Sequence, residues 1–295
     1  MNETLKVRNL NKSFATGFMG RKPVLKDVSF SVVENTVTGF VGVNGSGKTT
    51  TIKCLLGFIF PDKNTQTLIS FFGDDRLTNK TKSRIAYLPE RPYLPEQLTA
   101  TEFLHFHWKL AGSPGNFKQR CEEVLSRVKL HSVEQTYLRH FSKGMLQRMG
   151  LAQALLHRPE FLILDEPMSG LDPDGRWIVK DIIREEQQRG ATIFFSSHLL
   201  GDMDELCSHL VVIDQGHVHF HGLVSNFIQS ENKMVSITYF DQSKKIIQLR
   251  TSQSDLQNKI HQIIAQNGEI IRVSPAESSI EAVFTQRKWL ESKQT

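Results

Sequence analysis

The chain has 295 residues, 39% of them hydrophobic and 23% charged, with a formal net charge of +5. The length exceeds one typical domain, the composition is that of a globular protein with ample core, and no apolar run approaches the ~20 residues that cross a bilayer. Cys54, Cys121 and Cys207 stand far apart without CxxC spacing, which argues against a disulfide framework and for buried thiols in a reducing compartment.

Taken in order, the N-terminus MNETLKVRNLNKSF lacks the apolar segment of a signal peptide and alternates like a strand at Leu5 and Val7. Residues 3–10 and 24–33 read as strands joined by a loop, ATGFMGRKP. Phe14, with Phe18 as second choice, is placed to stack on a base, since every base offers a π-face.

The stretch TVTGFVGVNGSGKTTTIKCLLGFIF, residues 36–60, carries the phosphate-loop pattern GxxxxGK[ST] at Gly42, Gly47, Lys48 and Thr49. Phe40-Val41 reads as a buried strand leading in, and Lys48–Leu56 as a helix opening at the motif. Backbone N–H groups at a helix N-terminus hold anions, and Gly42, Gly45 and Gly47 let that backbone approach a triphosphate, with Asn44 and Ser46 completing the loop. Lys48 then reaches the β- and γ-phosphates, the Thr49 hydroxyl ligates Mg²⁺, and Thr50 meets an inner phosphate.

TLISFFG and RIAYLPE (residues 84–90) read as strands, the second ending on Glu90. Thr99 and Glu102 form a capping box for a helix through EFLHFHWKLAG, closed by Gly112. Phe117, Cys121, Val124, Leu125 and Val128 recur at helical spacing, so residues 91–150 read as a mainly helical insertion. A further helix starts near Ser142 and leads to the strand Phe161–Leu164, with Asp165-Glu166 just past its end. Ligands of open parallel sheets lie outside the carboxyl ends of strands, so both carboxylates belong to the crevice of the phosphate loop.

A helix from Arg176 to Arg189 places Ile178, Ile182 and Ile183 inward; ATIFFSSH is a strand ending on Ser196-Ser197-His198; and LVVIDQGHVHFHG is a hairpin turning at Gln215-Gly216. His217, His219 and His221 alternate on one strand face without a fourth ligand, and His105 and His107 share a packing helix, so neither group reads as a metal site. Past Gly222 a smaller α+β unit follows: strands in KMVSITYF and KKIIQLR, a helix in DLQNKIHQIIAQNG, a strand in EIIRV and a final helix in SSIEAVFTQRKWL.

Four further stretches line up with the phosphate loop: FSKGMLQR, FLILDEP, SGLDP (Ser169–Pro173) and SSH. In order and spacing, over residues 3 to about 222, they resemble the signature, second acidic motif, dimer loop and switch histidine of the ATP-binding subunit of an ABC transporter. The YLPE and SKGMLQR wording and the unit ending in SSIEAVF are most similar to ATPases paired with separately encoded exporter-type permeases. The resemblance implies an α/β fold: a P-loop NTPase core of ABC type over residues 1–222 with an N-terminal antiparallel β subdomain and the helical insertion at about 91–150, then a small C-terminal α+β domain over 223–295.

It also implies roles. ATP and Mg²⁺ are the cofactors; Asp165 holds the metal opposite Thr49; Glu166 orients and deprotonates the attacking water; His198 steadies the γ-phosphate. Ser142, Lys143 and Gly144 serve a nucleotide held by a second ATPase subunit, giving a dimer, most simply a homodimer, with Asp172 at its seam. The other partner is a membrane permease, which places the chain peripherally on the cytoplasmic face of the membrane; no nucleic acid is expected.

Two positions depart from the family pattern. Glu90 stands where a Gln is usual, adding a carboxylate able to bind a hard cation. In the signature Lys143 replaces a glycine and Met145 the glutamine. The alternative reading, a soluble ATPase of the same type acting on ribosomes or nucleic acid, lacks the paired cores or long coiled coils such relatives carry.

Overall fold

A computed structural model describes residues 2–16, 20–63, 66–198, 200–231, 234–275 and 280. The chain runs β1 (Glu3–Thr16), β2 (Gly20–Val33), β3 (Val37–Val41), α1 (Lys48–Leu55), β4 (Leu68–Phe71), α2 (Asn79–Lys82) and β5 (Ile85–Leu88). It continues through α3 (Ala100–Leu110), α4 (Phe117–Arg127), α5 (Lys143–Leu155), β6 (Phe161–Leu164), α6 (Pro173–Gln188), β7 (Thr192–Ser197), α7 (Leu200–Leu206), β8 (His209–Asp214) and β9 (His217–Leu223). Last come α8 (Val224–Glu231), β10 (Met234–Phe240), β11 (Ile246–Ser252), α9 (Leu256–Ala265) and β12 (Glu269–Pro275). These form two compact units, Met1–His221 and Gly222–Thr295.

The first unit is built on a six-stranded sheet of order β5-β6-β7-β3-β8-β9, with β5, β6, β7, β3 and β8 parallel. Every residue of β3, β6 and β7 is buried, as strands covered on both faces require. A three-stranded antiparallel sheet, β2-β1-β4, packs its apolar face on this core. Phe30 of that sheet stacks on Phe40 and Phe194 at 5.8 and 5.6 Å between ring centroids, and these two lie 5.1 Å apart. The β8–β9 hairpin turns on Gln215 and Gly216, at φ 47° and 84°. A Cβ on Gly216 would come within 2.2 Å of the Val24 carbonyl oxygen, so the turn needs glycine twice over.

The insertion is helical, as its periodicity requires. Thr99 and Glu102 form both halves of the capping box, and Cys121, Val124 and Leu125 are buried along α4. Buried Arg120 donates from Nε to Leu156 O at 3.0 Å and from Nη2 to Leu155 O at 2.5 Å, satisfying carbonyls at the buried C-terminal end of α5.

In the second unit the sheet is antiparallel, β11-β10-β12, with Ile237 buried within it and Ile263 of α9 buried as well.

Several elements differ from their sequence expectation. The segment ATGFMGRKP is no simple loop: β1 and β2 continue through Thr16↔Gly20, because Arg21 is tied to Ser13 and Asp62 and the polar ribbon keeps its ladder. Helix α6 begins at Pro173, three residues ahead of Arg176, with Asp172 accepting from Gly175 N as its cap; Val179 shares the buried stripe with Ile182 and Ile183, and Ile178, at its edge, is half-buried. Helices α7 and α8 had no sequence counterpart, being short and irregular in pattern. Phe18 and most of the expected final helix, SSIEAVFTQRKWL, lie outside the described residues.

Candidate active site

Sheet order explains how residues far apart in the chain meet. Strands β5, β6, β7 and β3 are neighbours and parallel, so the segments after them leave the same edge side by side: Glu90, then Asp165-Glu166, then His198, then the loop Gly42–Gly47. A cleft of about 590 Å³ opens there, lined by Asn44, Gly45, Gly47, Lys48, Thr49, Thr50, Glu90, Glu166 and His198, together with Val24 and Ser169. It is the crevice in which open α/β sheets take ligands.

At one wall, α1 starts after Gly47, whose φ of 114° suits glycine alone and which offers no side-chain cap. The first N–H groups of α1 therefore remain for an anion. Lys48 is buried and donates from Nζ to Gly42 O at 2.7 Å. Ser46 Oγ is buried without a hydrogen-bond partner.

The opposite wall is acidic. Glu166 has φ 50°, a left-handed conformation that costs a non-glycine residue energy and persists because its surroundings hold it. Its N–H donates to Ser196 Oγ at 2.9 Å, and that hydroxyl donates to Asp165 Oδ1 at 2.6 Å. Glu166 Oε1 lies 3.6 Å from Lys48 Nζ, and Oε2 lies 2.7 Å from His198 Nδ1. Asp165 is 1% exposed, and its Oδ2 has no hydrogen-bond partner. Burial pushes its carboxyl above the usual aspartate range; bonds from Ser196 and Thr49 pull it back, and the charges of Glu166 and Glu90 push it up again. A buried carboxylate with a free oxygen beside a threonine hydroxyl is a donor set that fits Mg²⁺, which prefers hard oxygen ligands.

Not every expected residue lines this cleft. Phe14 sits on β1 opposite Lys22, 41% exposed, with Lys12 Nζ 5.2 Å from its ring centroid. Ser142, Lys143 and Gly144 stand at the start of α5, away from the lining, where Ser142 Oγ accepts from Met145 N at 3.2 Å. Asp172 caps α6. The three cysteines are free, with Cys54 and Cys121 raised to about 11 by burial. No histidine, cysteine or carboxylate cluster among the described residues has the spacing of a metal site, His217, His219 and His221 included.

Sequence reasoning gave Ser196 no role of its own, yet this hydroxyl orients both acidic residues. The available signal was a serine at the end of an otherwise apolar strand. Gln147, buried on α5, was also passed over; its amide donates to Pro167 O at 3.4 Å, tying the insertion to the segment after Glu166.

Known proteins resemble this chain in sequence and fold. Residues 25–169 match the ABC transporter family model. An uncharacterized ABC transporter ATP-binding protein of Nostoc, all4389, is 41% identical over 76% of this chain and 68% of its own length. The bacitracin transport ATP-binding protein BcrA of Bacillus licheniformis is 31% identical over 96% of this chain and 97% of its own. A solved ATP binding subunit of an ABC transporter superposes with TM-score 0.68 at 31% identity, covering 77% of this chain and 92% of that one. The chain therefore belongs to the ABC transporter family, as an ATP-binding subunit whose hydrolysis of ATP powers transport.

Proposed function

We propose that this cleft binds Mg-ATP and hydrolyses it, with Lys48, Glu166 and His198 as the central residues. The observation that carries the reading is that these three, from three separate strand ends, make one connected array, Lys48 to Glu166 at 3.6 Å and Glu166 to His198 at 2.7 Å. Lys48 and the N–H groups opening α1 hold the phosphates; Thr50 and the backbone of Gly42, Asn44, Gly45, Ser46 and Gly47 complete the cradle. Asp165 and Thr49 hold Mg²⁺, with Glu90 at the same end of the cleft. Held there, Mg²⁺ would supply positive charge for the phosphate oxygens. Glu166 takes the proton of the attacking water, its backbone N–H held by Ser196 and its carboxylate by His198, and His198 stabilises the transferred phosphoryl group. Phe14 stacks on the adenine.

Ser142, Lys143 and Gly144 lie away from this chain's cleft, which supports their serving the nucleotide of a second, identical copy, with Asp172 near the seam. The dimeric ATP-binding cassette MJ0796, solved with ADP and Pi, shares the fold with TM-score 0.66 at 20% identity. The membrane partner is a separate permease met through the insertion: Tyr93, Phe106 and Leu110 are 93%, 55% and 72% exposed there. A groove of about 480 Å³ between Tyr93, Leu94, Leu138 and Arg139 lies on the stretch that follows Glu90. Among the described residues no helix is long and apolar enough to cross a membrane, which fits a peripheral subunit at the cytoplasmic face. Relatives named for bacitracin transport and linearmycin resistance support export as the direction. Residues 223–295 act as an accessory, dimer-stabilising unit. The test is Mg-ATP binding by the purified chain: the wild type binds and Lys48→Ala loses about 3 kcal/mol of binding, the scale of an unpaired buried charge partner; equal affinities would overturn the assignment.

A further inference from the structure

The cleft is more acidic than its task of holding a polyanion calls for. One lysine, Lys48, faces three carboxylates: Glu90 and Glu166 in the lining and Asp165 behind them. The lysine is not free either, since its ammonium lies 3.6 Å from Glu166 Oε1 and donates to Gly42 O. His198 turns toward the same Glu166, and among the described residues no ion pair of the cleft includes Glu90. Asp165 Oδ2 and Ser46 Oγ remain buried and unpartnered.

A triphosphate entering alone must take Lys48 from Glu166 while it faces Glu90 and Asp165. A triphosphate entering with a divalent cation brings two positive charges to those carboxylates. We infer that Glu90 makes this cleft select nucleotide by charge, accepting the triphosphate as its divalent-cation complex and refusing it metal-free. Glu90 is then a specificity-determining residue, and the neutral amide usual in the family would relax the selection. The inference rests on the nucleotide reading of the cleft given above.

Equilibrium titration with a fluorescent ATP analogue, in Mg²⁺ and in EDTA at low salt, tests it. Glu90→Gln should bind the metal-free analogue about five- to tenfold more tightly than wild type, the size of one partly screened charge contact, without a matching gain for the Mg²⁺ complex. Glu90→Asp, which keeps the charge, should retain the wild-type refusal. Raising the salt to ~0.5 M should close most of the gap between wild type and Glu90→Gln. Equal metal-free affinities for wild type and Glu90→Gln, or a Glu90→Asp protein that behaves like Glu90→Gln, would overturn the inference. If Lys48→Ala abolishes binding in both arms while the Glu90 variants match wild type, the nucleotide cleft stands and the Glu90 inference falls. A wild type that binds in neither arm brings down both.

Discussion

The cleft and the helical insertion both bury polar side chains, and they treat them in opposite ways. In the insertion, Arg120 has both Leu155 and Leu156 carbonyls and Glu123 Oε1 at 2.5 Å, Ser113 Oγ lies 2.5 Å from His157 Nδ1, and Thr99 and Glu102 satisfy each other's backbone. In the cleft, Asp165 Oδ2 and Ser46 Oγ have nothing, and Glu166 holds a strained backbone. A buried polar atom without a partner costs roughly 1–3 kcal/mol, so it persists where something outside the chain completes it. Of the four buried side-chain atoms without a hydrogen-bond partner among the described residues, Asp165 Oδ2 and Ser46 Oγ lie at the phosphate-loop end of the sheet, while Arg176 Nε on α6 and Asp202 Oδ2 on α7 lie outside the cleft lining. The paired groups of the insertion form a frame.

The largest effect expected from breaking this contrast is chemical. Replacing Glu166 with Gln keeps the shape of the cleft and removes the base, so hydrolysis should fall about a thousandfold while Mg-ATP still binds. Sizing chromatography should then show a dimer that persists in ATP; a monomer at saturating ATP counts against the shared-site reading.

In the frame the cost should appear as stability. Arg120→Ala leaves two helix-end carbonyls without their donor and Glu123 with Arg158 alone, and unfolding by urea should register a loss of about 3 kcal/mol. Asp165→Asn should go the other way. It removes a charge the fold keeps buried and incompletely paired, so the nucleotide-free protein gains about 1 kcal/mol while losing metal-dependent binding. If Asp165→Asn destabilised the apo protein as Arg120→Ala does, the distinction between the two regions would collapse.

How far each region could be read beforehand follows the same division. The phosphate loop, the capping box and the strand Phe161–Leu164 were legible because each is a contiguous pattern whose chemistry is complete within a few residues. The meeting of Glu90, Glu166 and His198 was readable only through motif order, and the parallel neighbours β5, β6 and β7 supply its physical cause. Ser196 and Arg120 escaped because their partners lie 31 and 35 residues away along the chain, beyond any local periodicity. Polar strand extensions such as Ala15–Thr16 escaped because they carry no apolar alternation.

The capping box offers a smaller check on the frame. Thr99→Ala removes the acceptor for Glu102 N, which it holds at 3.2 Å, and should cost about 1 kcal/mol without altering nucleotide affinity.

The smallest expected effect is a pH slope. His107 of the insertion and His157 just past the end of α5 lie half-buried, and burial lowers the affinity of both for a proton; His107 and Arg120 lower that of His157 further. Ser113 and Trp108 touch His157, and Phe103, Phe106 and the Gln153 amide touch His107; Glu123 shares the groove of His157 but is paired with Arg120 and Arg158, whose charges oppose a charged ring. Each histidine therefore binds its proton more readily unfolded than folded. Below the ordinary histidine value of about 6.5 the unfolded chain takes up protons that the native chain refuses, so stability present at neutral pH is lost as pH falls through that window. Urea midpoints at pH 7.5 and 5.5 should differ in that sense, and the difference should shrink in a His107→Gln/His157→Gln protein. Asp165 slopes the opposite way but titrates from the carboxylate end of the scale, where its raised affinity favours the protonated native state. A midpoint that rose on acidification from 7.5 to 5.5 would mean that the charge of the cleft, and not the histidines of the frame, governs stability near neutrality.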